Sequence, residues 1–592
     1  MIMNPRNTDT NTHSSNPVLR VQLWYAVLVV IVIIFGIRLF YLQVIKHDFY
    51  KKAALSGQLK QYEITADRGV IEAKDGDTIA PLVLNEKRYT LFADPKYIKQ
   101  PTDVAAKVQK VIGGSVADYE EKLKADTRYS ILAKKLDRIQ KEALDKLEIK
   151  GVGTREASVR TYPQGDLAAQ VLGFVDDEGT GKYGLEQALN KQLNGTPGQL
   201  RAITDAQGVP LVANSDNIVT KPKSGDRVLL TIDVAMQRQV EDILKSGLDR
   251  AKSKSGSAIV MDPNTGAIKA MANYPTYNPS EFYKVENGDT FNNATVSSPL
   301  EVGSIMKPLT AAAALDQGVV GRNTSYYDPS RYKIGDATIT NIEEDGGAGQ
   351  RSVADILELS LNTGATWLLM QMGGGQVNQK ARVAWHDYLT NHYRMGKATG
   401  IEQGYESEGS IPDPNDGFGL NIQYANTAFG QGMTATPLQM ASALSSVVNG
   451  GTYFRPHLVA QTTGANGTVT KKQPEVIRKN VVSPQVSKDT TELMEGVVGK
   501  NYALYGLPKP DGSYLIGGKT GTAEITKPGG GYYEDKFNGT FMGFVGGEKP
   551  EYVILIRVNE PGIKGYAGSK AAAPIFSNTV TMLINNFGIT PR

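Results

Sequence analysis

Apolar residues are spread unevenly along this chain, and their spacing predicts several kinds of element. Leu23 to Ile37 is an uncharged run holding Ala-Val-Leu-Val-Val-Ile-Val-Ile-Ile-Phe, and it extends past Arg38 to Leu42. A helix of about 20 residues rises roughly 30 Å, the thickness of a bilayer's hydrocarbon core, and Arg38 can snorkel to its edge. A transmembrane helix is therefore predicted over residues 21–42, after a polar Asn/Thr/Ser-rich tail (1–20) that reads as disordered. Cleavage as a signal peptide is not expected, because Arg-Leu-Phe-Tyr-Leu-Gln-Val follows the run where a small-x-small site belongs. Residues from about 43 to 220 mix strand-like and helix-like stretches. The densely charged part at 118–150 reads as solvated amphipathic helices, and Pro222-Lys-Ser-Gly-Asp226 reads as a linker. From about 228 to 585, helical stretches alternate with glycine-bounded strands such as 257–261, 540–545 and 552–558. That alternation predicts an antiparallel sheet carrying helices, with a largely helical subdomain between Ser304 and Gln439, and an α+β fold class. The glycine runs at 373–375 and 529–531 read as loops and lack the lysine and strand–helix setting of a phosphate cradle.

Composition narrows the function classes. At 592 residues, two or three domains are expected. A net charge of +3 from 64 basic and 61 acidic residues gives no case for nucleic-acid binding. The absence of cysteine excludes disulfides and thiolate metal ligands, and suits an extracytoplasmic protein built without oxidative help. His13, His47, His386, His392 and His457 show no ligand spacing, and His386 and His392 read as packing or surface residues. No metal and no cofactor are expected.

Three short stretches carry the chemistry: Ser304-Ile-Met-Lys307, Ser360-Leu-Asn362 and Lys519-Thr-Gly-Thr522. A serine hydroxyl needs a neighbouring base to become a nucleophile at neutral pH. On a helix, residues i and i+3 share a face about 5–6 Å apart at Cβ, so Lys307 can reach Ser304. A lysine serves as a base only where burial or nearby positive charge lowers its pKa, and Lys519 can supply such a charge. Ser360 adds a proton-relaying hydroxyl, and Asn362 an amide able to hold a substrate carbonyl.

Each fragment alone is weak. Ser330-Arg-Tyr-Lys333 repeats the serine–lysine spacing, K-S-G triplets begin at Lys223, Lys245 and Lys254, and Glu186-Gln-Ala-Leu-Asn190 mimics a deacylating glutamate motif. Context separates them. Ser304 follows Gly303 and opens a strong helix former with Pro308 in its first turn and Gly318 as its stop. Ser330 sits in a turn signature of Tyr, Asp and Pro. Ser360 ends an apolar-periodic stretch whose Ser352 and Asp355 resemble a capping box. Lys519 lies in a glycine-broken strand, where glycine permits close approach by a ligand. Since 56 residues separate Ser304 from Ser360, and 159 separate Ser360 from Lys519, only a tertiary fold can bring them together.

In this order and context the motifs resemble those of class B penicillin-binding proteins, and the resemblance covers nearly the whole chain. Leu230-Thr-Ile-Asp233 with Gln237, Val260-Met-Asp-Pro-Asn-Thr-Gly266, Pro275-Thr-Tyr-Asn-Pro279, Gly430-Gln-Gly-Met-Thr-Ala-Thr-Pro-Leu-Gln439 and Asn449-Gly-Gly451 resemble its catalytic domain. Arg68-Gly69, Arg160-Thr-Tyr-Pro163, Gly173-Phe-Val175, Gly184-Leu-Glu186 and Leu193-Asn-Gly195 resemble its non-catalytic pedestal. Val302 stands where the family often has proline, and Lys74-Asp-Gly76 replaces a common Arg-Asn-Gly; neither change removes a chemical group from the site. The resemblance implies a pedestal or dimerisation-type domain at 43–225 and a transpeptidase domain at 228–588. It also implies a cytoplasmic N-terminus with the catalytic body outside the cell membrane, an orientation that the flanking charges leave open. By the same resemblance, Ser304 is the nucleophile, Lys307 its base, Ser360 the proton relay and Asn362 the holder of the substrate amide. The N–H groups of Ser304 and Thr522 form the oxyanion hole, and Lys519, Thr520, Gly521 and Thr522 bind the terminal carboxylate. Implied partners are peptidoglycan stem peptides, β-lactam antibiotics, a membrane glycosyltransferase and divisome or elongasome proteins. The compact length, the short pedestal and Gly173-Phe-Val-Asp-Asp-Glu-Gly179 favour a septal over an elongation role. Alternatives in view are a carboxypeptidase or β-lactamase-like hydrolase, against which the membrane span and pedestal argue, and a non-catalytic β-lactam sensor or scaffold, for which 20 residues leave no room for a cytosolic effector. A synthase that also polymerises glycan lacks a convincing glycosyltransferase motif here.

Overall fold

A computed structural model of the chain describes residues 17–50, 59–203, 218–341, 347–509, 511–527 and 531–592. Residues 1–16 of the tail expected to be disordered, and the first two glycines of 529–531, lie outside the described residues. The chain divides into two compact units: one holds residues up to 66 with 196–223, the other 67–195 with 224–592.

In the first unit the apolar run forms a helix, Pro17–Phe40, continued by a π-helical turn at Tyr41–Ile45. It begins four residues ahead of the expected end of the tail, with Pro17 in the first-turn position that proline tolerates best. It is the one helix among the described residues long and apolar enough to cross a membrane, over Val18–Ile45. Its side chains from Val18 to Phe40 are exposed all round. Apart from Arg20, Gln22 and Arg38 that surface is apolar, and such a surface is stable only in a membrane or against a partner. The unit also holds a three-stranded antiparallel sheet in the order Leu59–Ile64, Gly198–Ile203, Ile218–Thr220.

The second unit is built on two sheets. A seven-stranded sheet runs Val469–Lys471, Val459–Thr463, Arg227–Asp233, Ile71–Asp75, Thr78–Ala93, Ser130–Leu136, with Val152–Thr161 also paired to Thr78–Ala93. All pairs are antiparallel except Arg227–Asp233 with Ile71–Asp75. The segment read as a linker, 222–226, holds the division between the two units, and its second half is tied down by backbone contacts just ahead of the strand Arg227–Asp233. Gly225 and Asp226 donate their N–H groups to Asp67 and Gln192 carbonyls at 2.9 and 3.0 Å, and a Cβ on Gly225 would stand 1.8 Å from the Leu193 carbonyl oxygen. A glycine that looks like linker composition is there because backbone passes against it. Strands from residues 71–161 and from the catalytic region thus share one sheet, and the large core takes in Ile71 to Val83 and then side chains from Tyr162 to Ile589.

The charged stretch at 118–150 also differs from expectation. It holds two helices, Val116–Lys124 and Arg138–Asp145, but the strand Ser130–Leu136 lies between them. Leu132 and Leu136 of that strand point into a small second core with Tyr119, Leu123 and Leu144, and the intervening Lys134-Lys135 pair hides their spacing. Asp137 and Gln140 close a capping box on the second helix, at 2.7 and 3.0 Å.

Four pedestal motifs meet around one buried carboxylate. Glu186 is fully buried and accepts from Arg68 Nε at 2.6 Å and Arg160 Nε at 2.8 Å. Arg160 also donates to Asn85 Oδ1 at 2.8 Å, and Arg68 to Asn190 and Asn194. The Glu186–Asn190 mimic of a deacylating motif is therefore a structural tie. Nearby, Glu241 on the helix Val234–Ala251 accepts from Ala168 N–H and Gln237 Nε2, each at 2.8 Å. Burial, aided by Asp166 and Asp242, pushes its carboxyl up to about 7.

The second sheet is five-stranded and wholly antiparallel, in the order Ile268–Tyr274, Ser255–Met261, Pro550–Asn559, Tyr532–Gly546, Leu515–Thr526. Val553 to Ile556 are all buried, as a strand covered on both faces requires. Leu515–Thr526 is the edge strand on one side and Ile268–Tyr274 on the other. Between Ser304 and Gln439 the chain is largely helical, as expected, but two hairpin-like pairs interrupt it: Ser325–Asp328 with Gly349–Ser352, and Arg331–Ile334 with Ala337–Thr340.

Removing Glu186 leaves two buried guanidinium groups without their carboxylate, so Glu186→Ala is expected to cost about 3–5 kcal/mol of stability, read by denaturant unfolding of the detergent-solubilised chain. For Glu241 the folded state binds its proton more tightly than the unfolded chain. Stability is then expected to fall as pH rises from about 4.5 to about 7, and Glu241→Gln to flatten that slope in thermal unfolding scans.

Candidate active site

The serine–lysine motif starts on a 3-10 turn, Gly303–Met306, which runs straight into the helix Lys307–Asp316. Pro308 sits in the first turn of that helix and Gly318, at φ +65°, follows its end. Tight winding puts Lys307 Nζ 3.0 Å from Ser304 Oγ. The Lys307 side chain is fully buried.

Glycine brings the surrounding strands close enough to enclose this turn. Gly303 has φ +62°, and a Cβ there would stand 2.8 Å from the Thr522 carbonyl oxygen. Its N–H donates to the Gly430 carbonyl at 3.0 Å, and a Cβ on Gly430 would stand 2.2 Å from the Gly303 carbonyl oxygen. On the edge strand, a Cβ on Gly521 would meet Thr540 Oγ1 at 2.2 Å and the Val302 carbonyl oxygen at 2.9 Å. Backbone therefore touches backbone where side chains would hold the two elements apart. Sequence reading placed Gly521 in the site and identified the Gly430 segment, but assigned no role to Gly303 or Gly430; the signal was their position beside a motif serine and inside a Gly-x-Gly.

Ser360 enters between two helices. Ser352 and Asp355 form the expected capping box on Val353–Glu358, with Asp355 N–H 3.1 Å from Ser352 Oγ. Ser360 then adopts φ +60°, a left-handed conformation that costs a non-glycine residue about 1–2 kcal/mol. That reversal starts the helix Asn362–Met372 and turns both Ser360 and Asn362 toward Lys307. Lys307 Nζ lies 3.2 Å from Ser360 Oγ and 2.8 Å from Asn362 Oδ1, and it donates to the Ser360 carbonyl. Asn362 Nδ2 donates to the Thr340 carbonyl at 3.3 Å. Its amide is thus oriented at both ends, and one N–H of the two on Nδ2 is left over.

Lys519, 1% exposed, completes the ring from the edge strand. Its Nζ lies 2.9 Å from Ser360 Oγ and 3.1 Å from the Thr520 carbonyl oxygen. Ser360 Oγ therefore bridges two lysine amines. Thr520, Gly521 and Thr522 follow in register with Phe541, Thr540 and Gly539 of the neighbouring strand. Thr522 Oγ1 accepts from Gly568 N–H at 3.2 Å, so its own proton is available to an acceptor. Ser304, Lys307, Ser360, Asn362 and Lys519 form one hydrogen-bonded set, with the Thr522 backbone against its first turn.

The decoys fall elsewhere. Ser330 turns at φ +64° between two hairpin strands and Lys333 is exposed, as are Lys223, Lys245 and Lys254. His386 bonds the Tyr424 hydroxyl at 2.9 Å and His392 stacks on Tyr388, both packing roles. Glu301, three residues before the nucleophile candidate, accepts from Tyr532 OH and Gly432 N–H, each at 3.0 Å. Burial raises its carboxyl above the usual range, with Glu524 adding to the effect.

Residues 256–581 match the penicillin binding protein transpeptidase domain, and residues 63–230 match the penicillin-binding protein dimerisation domain. Stage V sporulation protein D of Bacillus subtilis is 28% identical over 98% of this chain and 88% of its own length. The peptidoglycan D,D-transpeptidase FtsI of Escherichia coli is 26% identical over 94% of this chain and 89% of its own. Among solved structures, penicillin binding protein 3 of Mycobacterium tuberculosis, complexed with aztreonam, aligns at a TM-score of 0.67 and 25% identity, covering 90% of this chain and 98% of that one. Penicillin binding protein 2X of Streptococcus thermophilus shares the fold at a TM-score of 0.71 and 24% identity, over 88% and 80%. With both domain matches on one chain, the first spanning more than half of it, the protein belongs to the penicillin-binding protein transpeptidase family in its class B form.

Proposed function

We propose that this chain is a peptidoglycan D,D-transpeptidase that cross-links stem peptides through an acyl-serine on Ser304. One observation carries the proposal: Ser304 Oγ lies 3.0 Å from a buried lysine amine, while a second serine hydroxyl stands between that amine and another lysine. A neutral Lys307 amine has two N–H groups and one lone pair. The Ser360 carbonyl, Asn362 Oδ1 and Ser360 Oγ offer acceptors to those N–H groups, so the lone pair of a neutral amine can be turned to the Ser304 hydroxyl. Burial beside a second lysine is the physical condition that favours the neutral form.

Lys307 then takes the Ser304 proton as the hydroxyl attacks the carbonyl between two terminal D-alanines. The N–H groups of Ser304 and Thr522 receive the oxyanion, each such donor being worth about 100–1000-fold in rate. The unused N–H of Asn362 holds the substrate amide, and Lys519, Thr520 and Thr522 hold the terminal carboxylate, Thr522 through the proton that Gly568 leaves free. Ser360 passes a proton from the lysine pair to the departing D-alanine amine. An amine from a neighbouring stem attacks the ester, releases Ser304 and closes the cross-link. A β-lactam offers the same carbonyl and carboxylate but keeps its leaving amine tethered, so it acylates Ser304 and stays; Glu301 is already engaged by Tyr532 and Gly432.

Similarity to chains named FtsI and Stage V sporulation protein D, with the sequence features noted above, supports a septal role in wall synthesis. The N-terminal helix anchors the chain with its tail in the cytoplasm and its catalytic body outside, working with a separate membrane glycan polymerase.

A fluorescent penicillin is expected to label the wild-type protein and to leave Ser304→Ala unlabelled; undiminished labelling of that variant would refute the assignment. Thr522→Val is expected to slow acylation by carboxylate-bearing β-lactams about 10–100-fold, measured by stopped-flow quenching. Ser360→Ala and Ser360→Gly both lose the bridging hydroxyl and should acylate about 100-fold more slowly. The glycine variant should nevertheless unfold at a higher temperature than the alanine one, because it fits φ +60° without strain.

A further inference from the structure

Asn362 has to present its amide in a single orientation, with Oδ1 toward Lys307 and an N–H toward the substrate. Lys307 fixes one end and the Thr340 carbonyl the other. Thr340 ends a short hairpin strand, Ala337–Thr340, so the amide is only as well placed as that strand end. What holds the strand end is a buried carboxylate. Asp328, fully buried at the end of Ser325–Asp328, accepts on Oδ2 from Thr363 Oγ1 at 2.7 Å, Asn341 Nδ2 at 3.3 Å and Tyr326 OH at 3.4 Å. Its Oδ1 accepts from Ser330 N–H at 2.8 Å. Asn341, next in sequence to Thr340, also accepts the Thr363 N–H on its Oδ1 at 3.0 Å.

One carboxylate therefore gathers donors from both sides of Asn362. Asn341 follows the strand that supplies the Thr340 carbonyl, and Thr363 is the next residue along the helix that carries Asn362. The cluster lies at the N-terminal end of that helix, where a negative charge is favoured. Tyr326 is braced by stacking on Trp367 of the same helix, with ring centroids 4.1 Å apart. A buried carboxylate needs such a full set of donors, and removing any one leaves a desolvated acceptor that shifts to find another.

We propose that Asp328 is a positioning residue for acyl transfer: through Asn341 and Thr363 it fixes the Thr340 carbonyl against Asn362 and so aims the Asn362 amide at the substrate. The inference rests on the role given to Asn362 above. Asp328→Asn would keep the shape but turn one acceptor into a donor facing donors.

The test is a double-mutant cycle on the second-order acylation rate constant, using a fluorescent penicillin and the full-length chain in detergent. Asp328→Asn alone is expected to slow acylation about 10–100-fold. In an Asn362→Ala background the same change should alter the rate by less than about threefold. Thr363→Val should reproduce the loss and Thr363→Ser should restore it, a pair that carries the cycle if the Asp328 variant does not fold. Losses that multiply fully in both backgrounds would mean a general structural effect and would overturn the inference, as would wild-type rates in Asp328→Asn. Wild-type rates in Asn362→Ala, by contrast, would overturn the role given to Asn362 and this inference with it.

Discussion

Two lysine amines share one serine hydroxyl in the interior of this protein, and most of the catalytic unit can be understood as what that arrangement demands. Lys307 and Lys519 are both essentially inaccessible to water, so each N–H must find a protein acceptor in place of solvent. The Ser360 carbonyl, Asn362 Oδ1, the Ser360 hydroxyl and the carbonyl and hydroxyl of Thr520 are among the acceptors that serve them. The acceptors come from a helix start and an edge strand far apart in sequence, so sheet, helices and loops must agree in position. Glycine at 303, 430 and 521 removes the side chains that would keep those elements apart. Ser360 bears the remaining conformational cost in its left-handed backbone. Two buried lysine amines on one serine hydroxyl, with the left-handed backbone at that serine, are the features on which the proposed acyl transfer rests.

The pedestal is not an independent appendage within the larger unit. Arg227–Asp233 lies in the same sheet as Ile71–Asp75, and the large core takes in side chains from Ile71 to Ile589. Glu186 ties together residues from Arg68 to Asn194 that share no local sequence. Breaking that tie would leave like charges buried together, which explains why so polar a cluster sits in so apolar a setting. Glu241 joins the segment around Ala168 to the first helix of the catalytic region with a carboxylate rather than an apolar contact. Burial raises that carboxyl above the usual range, which is the basis of the pH dependence expected of this junction.

Features set by local chemistry were legible in the sequence. The capping box of Ser352 and Asp355, the helix after Ser304 with Pro308 inside and Gly318 beyond, and the central strand around residues 552–558 all follow from short-range rules. The five residues of the hydrogen-bonded ring were identifiable because their chemistry is specific in combination. What stayed hidden depends on long-range contact. Gly225 looks like linker but lies against Leu193; the strand Ser130–Leu136 is masked by two lysines; the left-handed turn at Ser360 has no signal in a serine. Asp328, Asn341 and Thr363 carry no motif at all, because their partners meet only once the hairpin has folded back on the Asn362 helix.

Peptide mapping by mass spectrometry after reaction of the intact wild-type protein with a β-lactam tests the central claim most directly. Covalent mass is expected on the peptide containing Ser304 and on that serine alone, persisting through hours of incubation. Mass on Ser330, on Ser360 or on no peptide would contradict the account, because each outcome separates the nucleophile from the lysine ring described above.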